Sequence, residues 1–458
     1  MHLVRLCLFT VSVLHIGSIQ STHAQDSVTT ATGRAPIENY VALLGQRQSD
    51  RVAGLQAIAE NWHDDDVGLM IESARFASDP RTRTAILELL AKQTGQDFGR
   101  DFDRWYKWIW NQDVKLHPNY GTFKKSLYQR IDPRFGEYFS DDFAATIRLD
   151  EIRWGGVRRD GIPPLSDPET IPAGEATYLN DSDVVFGVSF GGQARAYPKR
   201  ILAWHEMVKD HVGGLSINGV YCTLCGSMII YETEVDGEHY ELGTSGFLYR
   251  SNKLMYDHGT KSMWSTLKGR PVVGKLVGEG IQLKTRYVVT TTWGQWKADH
   301  PDTDVLSLNT GHRRDYGEGV AYRNYFATDE LMFNVPKVDK RLKNKDEVLI
   351  VRAGGVEPIA ISANFLNRNR VYHDKMGDVT FVVVTDESGA NRVYESGETR
   401  FDRHLDKAHV VSKDGKQWTV TEDALVSEDK TESFKRLSAH RAFWFGWFAD
   451  HPDVRLVK

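Results

Sequence analysis

The sequence predicts an α+β protein: an N-terminal helical, repeat-like region followed by two duplicated β-rich lobes, mainly antiparallel. Three observations predict it. Apolar residues recur near helical spacing up to about residue 95. Short alternating runs punctuated by Gly and Pro take over from about residue 150. The later part of the chain then repeats once.

The first residues read as an export signal. Positive charge at Arg5 precedes a mostly apolar run from Leu6 to Ile19, and Thr22-His23-Ala24 offers small residues where a signal peptidase cleaves. We expect residues 1–24 to be removed after Ala24, leaving a periplasmic or secreted protein. Beyond this run, no stretch reaches the roughly 18 apolar residues that a membrane helix needs. Lys and Arg number 57 against 62 Asp and Glu in 458 residues, a net charge of −5. That balance argues against nucleic acid as the main partner, because phosphate binding needs concentrated cations.

Residues 25–145 form the helical region. Val41, Leu43 and Leu44, then Leu55, Ile58 and Ala59, then Ile86, Leu87, Leu89 and Leu90 supply the period, and Asp79-Pro80 marks a helix start. The aromatic stretch with Trp105, Tyr106, Trp108 and Trp110 is expected to pack between the helical and β regions rather than stack on a ligand. This region is also a candidate surface for a protein partner.

The duplication organises the rest. Gly191-Gly192 recurs as Gly354-Gly355, a displacement of 163 (354 less 191), and Val220, Gly226, Tyr231 and Glu232 meet Val383, Gly389, Tyr394 and Glu395 at the same displacement. Trp293-Gly-Gln-Trp-Lys-Ala-Asp-His-Pro-Asp302 recurs from Trp444 to Asp453 with seven of ten residues retained. Two lobes are expected, 150–310 and 346–458, joined by a connector at 311–345. One duplication is not a solenoid.

The two copies serve as a mutual control. Cys222, Cys225 and His205 meet Thr385, Ser388 and Arg368, so the second lobe keeps the frame without those groups. His300 recurs as His451, each followed by Pro, which fits a helix end better than a ligand.

Of three cysteines, Cys7 falls in the signal and only Cys222 and Cys225 remain. The segments Leu215–Tyr221 and Met228–Glu232 are β-rich, so Cys222-Thr223-Leu224-Cys225-Gly226-Ser227 occupies a turn between strands. A redox motif of the thioredoxin type opens a helix instead. Gly226 after the second Cys suits a metal knuckle, and Ser227 follows it. The expected ligands are Cys222, Cys225, His205 and Asp257, for copper or zinc. Glu206 and Met255 support the set: Glu206 as a hydrogen-bond acceptor or base, Met255 as a thioether that would favour copper. Core packing for Met255 and a turn role for Asp257 are the competing readings.

These residues resemble a family. Tyr197-Pro198, Trp204-His205-Glu206, the Cys222–Ser227 turn, Ser245 to Asn252, Met255-Tyr256-Asp257 and Ser262-Met263-Trp264-Ser265 are similar to the hallmarks of an exported bacterial family, domain of unknown function 3179. The resemblance is close over 150–310 and looser in the second lobe. Thr223 stands where the family often has Pro, and His258 where it often has Arg. The resemblance implies no activity.

Three functions remain open: a transition-metal protein, a thiol–disulfide oxidoreductase or redox sensor, and a non-enzymatic binding module whose Cys pair is a structural disulfide. Hydrolase chemistry has no support, since no Ser-His-Asp order, phosphate loop or His-Glu-x-x-His is present. Whether the protein is an enzyme stays open.

Overall fold

A computed structural model describes residues 33–458; the expected signal at 1–24 lies outside them. Six helices, Ile37–Ala42, Gln48–Glu60, Val67–Phe76, Pro80–Thr94, Phe102–Ile109 and Tyr120–Tyr128, are followed by mostly antiparallel sheets. The α+β expectation holds. Asp79 caps its helix by accepting from Thr82 N at 2.8 Å, with Pro80 in the first turn. Among the described residues no helix is long and apolar enough to cross a membrane.

The aromatic stretch packs as expected. Trp105, Tyr106 and Trp110 are buried in a core that continues into Phe247, Tyr249, Leu254 and Tyr256 of the β region. The helical region therefore shares one apolar core with the first β meander, and burial of large aromatics fixes it there.

Two sheets share one connectivity. The first runs Val289–Thr292, Val184–Phe190, Gln193–Pro198, Asp304–Leu306, with Thr170–Pro172 at its edge. The second runs Ser438–Phe443, Glu347–Arg352, Ile359–Ser362, Arg455–Val457. Each has one parallel pair, formed by its last strand in the chain. Each carries a short helix after its hairpin, Lys199–His205 or Ala363–Arg368, and a Trp-rich helix before its last strand, Trp293–Asp299 or Trp444–Asp450. His300 and His451 terminate those Trp helices, with ring centroids 4.0 Å from Trp296 and Trp447 respectively.

A second layer is again paired. Met207–Val212, Leu215–Cys222 and Ser227–Glu232 pair in sequence in the first half, as do Val371–Met376, Val379–Thr385 and Asn391–Glu395 in the second. Antiparallel meanders follow at 242–273 and 401–435. The halves interlock: Arg250 Nη1 of the first meander donates to Ala449 O at 2.8 Å, and Asn252 Nδ2 donates to Gly446 O at 2.9 Å.

The segment 311–345 carries one short helix, Arg323–Phe326, and no strand. Its Tyr325, Val335 and Phe333 pack on Cys222, Leu224 and Leu248. It covers the Cys turn as well as linking the halves.

Candidate redox site at the Cys222–Cys225 turn

The β-branched and aromatic residues flanking the motif hold two strands in register as far as Cys222 opposite Ser227. Four residues close the turn. Gly226 takes φ +60°, and a Cβ there would lie 2.8 Å from the Phe443 ring, so the conformation and the space both call for glycine. The two sulfurs are joined as a disulfide, with Cα atoms 5.4 Å apart. Cys225 is fully buried and Cys222 is 2% exposed.

The second lobe backs this turn. Phe443 N donates to Cys225 O at 2.7 Å. Gly446 lies so close that a Cβ on it would sit 2.8 Å from Cys225 Cβ. The first meander closes the other side through Arg250 and Ser251, both at positive φ in a two-residue hairpin turn. The turn sets Ser251 O 3.7 Å from Cys225 Sγ.

Glu206 follows the Lys199–His205 helix in left-handed geometry, φ +56°. A non-glycine residue there is strained, and the surroundings hold it: Glu206 N donates to Leu202 O at 2.7 Å and Glu206 O accepts from Tyr221 N at 2.9 Å. Its carboxylate accepts from Thr223 Oγ1 at 2.8 Å and from Tyr322 Oη at 3.1 Å. Lys253 Nζ lies 3.3 Å from Glu206 Oε2 and donates to Glu206 O at the same distance. Burial pushes the Lys253 ammonium below its usual range, while the Glu206 charge opposes that shift. Cys222, Glu206, Lys253, Thr223, Leu248 and Phe333 line a cavity of about 70 Å³.

The expected metal ligands are not gathered in one place. His205 is buried, but its Nδ1 faces Pro163 O at 2.9 Å and its Nε2 faces Tyr316 Oη at 2.6 Å, so both ring nitrogens are engaged. Burial lowers its pKa. Asp257 accepts from Thr260 N at 2.5 Å, Thr260 Oγ1 at 2.8 Å and Trp264 Nε1 at 3.2 Å. That is the turn role. Met255 is fully buried in an apolar cluster with Trp264 and Val220. Ser227 Oγ is buried with no hydrogen-bond partner among the described residues. Among those residues no group of three or more His, Cys, Asp or Glu is arranged to hold a metal ion.

Of the expected set, Cys222, Cys225 and Glu206 come together. The sequence assigns no role to Lys253, Tyr322 or Tyr325, and marks Thr223 only as part of the turn. The Thr223 hydroxyl supplies the bond to Glu206, which a Pro at this position would have no side-chain donor to make. Tyr325 Oη donates to Leu224 O within the turn at 2.6 Å.

The sequence profile of the family described as a protein of unknown function (DUF3179) matches residues 159–454. The match spans more than half of the chain, which belongs to that family. No curated protein and no solved structure matches.

Proposed function

For this member of the family, whose description assigns no activity, we propose thiol–disulfide exchange at Cys222–Cys225, in an exported protein. The observation that carries the reading is that Cys222 lines a cavity shared with Glu206 and Lys253, while Cys225 is buried behind it. Export rests on the signal pattern at residues 1–24 and suits a compartment where disulfides persist.

The chemistry is an exchange with a dithiol. A substrate thiolate attacks Cys222 Sγ, the bond to Cys225 breaks, and Cys225 leaves as a thiolate that takes a proton. Ser251 O is placed to accept a hydrogen bond from the resulting thiol. The second substrate thiol then attacks the mixed disulfide and releases Cys222 as a thiol. One disulfide is formed in the substrate and one is reduced in this protein; the two substrate protons end on Cys222 and Cys225. Lys253 and Glu206 form an ion pair at the cavity wall. The connector has to move for a substrate to reach Cys222.

Copper or zinc binding is the second reading. It would rest on the reduced sulfurs alone, because His205 and Asp257 are engaged elsewhere.

A trapping experiment separates the sulfurs. With Cys225→Ser, a cysteine-containing disulfide peptide should become linked to Cys222 and be seen by mass spectrometry. With Cys222→Ser, it should not. Equal trapping by both variants, or by neither, removes the assignment. Metal content of the reduced protein, measured in parallel, tests the second reading.

A further inference from the structure

We propose that a cleft between the second lobe's Gly354-Gly355 hairpin and the first lobe's meander binds a small polyanion, a molecule with clustered phosphate or carboxylate oxygens. The cleft measures about 820 Å³, within the range of pockets that hold small ligands. Five cationic side chains line it: Lys268, Arg270, Lys284, Arg352 and Arg436. Glu357 is the only carboxylate among its lining residues.

Three of the cations already have counter-charges from outside the lining. Lys268 meets Asp450 at 3.1 Å, Lys284 meets Glu232 at 3.1 Å and Arg436 meets Glu422 at 3.0 Å. Among the described residues Arg270 and Arg352 make no ion pair within 4 Å; Asp450, already paired with Lys268, attracts Arg352 only from farther off. Arg270 is exposed. Arg352 is held rigidly: its Nη2 donates to Leu267 O at 2.6 Å and its guanidinium sits 5.1 Å from the Trp447 ring centroid. Its Nε is buried with no hydrogen-bond partner among the described residues. A buried charged donor left unpaired is costly, and a planar guanidinium fixed against an aromatic ring is preorganised for an oxyanion.

The duplication supplies a control. At the displacement of 163, Arg352 corresponds to Ser189. The related cleft beside Ser189 and His300 is lined by Asp299, Asp386, Glu422 and Asp423 against Arg392 and Lys407. The shared fold therefore does not require cations at this place. The excess of positive charge belongs to one copy, as the cysteines belong to the other.

Calorimetry on the full chain tests this with two probes, inorganic pyrophosphate and citrate, at low and high salt. We expect saturable one-to-one binding that weakens with salt, as ion contacts do. Arg352→Gln and Arg270→Glu should each weaken it by about 10-fold or more, the scale of one charge-assisted hydrogen bond. Lys407→Glu in the related cleft should leave it unchanged. Preference for one probe identifies phosphate or carboxylate chemistry. Arg270 is exposed, so its variant gives a reading even if Arg352→Gln does not fold. No saturable binding of either probe up to about 10 mM, or unchanged binding in folded Arg270→Glu, overturns the proposal.

Discussion

Glu206 Oε2 and Lys253 Nζ lie 3.3 Å apart, with side chains only 10% and 6% exposed. A pair so far out of water is held by mutual compensation, and removing one member leaves a buried charge alone. Glu206→Gln and Lys253→Met should each destabilise the protein by about 3–5 kcal/mol. The double variant should recover much of that loss. Denaturant melts of the four proteins form the cycle; strictly additive losses would show that the two groups do not compensate each other.

Tyr325 and Tyr322 tie the connector to the Cys turn through Leu224 O and Glu206. Each hydrogen bond contributes about 1 kcal/mol. If the connector gates access, Tyr325→Phe should speed reduction of the disulfide by dithiothreitol about fivefold. Tyr322→Phe should act in the same direction. Stopped reactions read by alkylation and mass spectrometry give the rates, and rates equal to wild type would place the barrier elsewhere.

Gly226 and Gly446 are the two points where backbone presses on the site. Gly226→Ala meets both a positive φ and the Phe443 ring, and should cost about 1–3 kcal/mol. Gly446→Ala pushes against Cys225 Cβ and should cost a similar amount. It should also change the reduction rate, although it lies in the other lobe. Thermal melts and the same reduction assay check both effects; a silent Gly446→Ala would deny the second lobe its backing role.

Buried histidines set an acid limit, His117 and His451 among them. Burial lowers His117 and His451 to about 4. The unfolded chain takes up these protons near pH 6.5, whereas the folded chain resists until about 4. The unfolded state binds more protons within that window, so stability rises with pH there and is lost as pH falls from about 6.5 towards 4. Each histidine contributes at most about 3 kcal/mol to the change. His117→Gln should flatten the pH dependence of the melting temperature between those limits; an unchanged slope would show that His117 is not responsible.

Much of this architecture was legible because it rests on local pattern. Ile229, Ile230 and Tyr231 announce a strand directly after the motif, so the Cys turn could be placed between strands. The Trp-rich repeat ending in His-Pro marks the same helix end twice. The ligand set was less legible. Spacing brings His205 to the end of a helix, but its ring direction is decided by Pro163 and Tyr316, the latter 111 residues away. Lys253 reads in sequence as an ordinary strand residue; its role comes from the hairpin that folds it onto Glu206. The connector tyrosines reach the site across 101 and 116 residues, from a four-residue helix and its N-cap, too short to show a period. No local preference encodes such contacts.

Incubating the oxidised full chain with a reduced dithiol peptide, then counting disulfides on both molecules by mass spectrometry, tests the exchange chemistry most directly. The account predicts that each peptide disulfide gained is matched by one Cys222–Cys225 bond lost, while the protein stays folded. A pair that remains joined under excess peptide, and opens only when the chain is denatured, would contradict the account and leave these sulfurs as a staple.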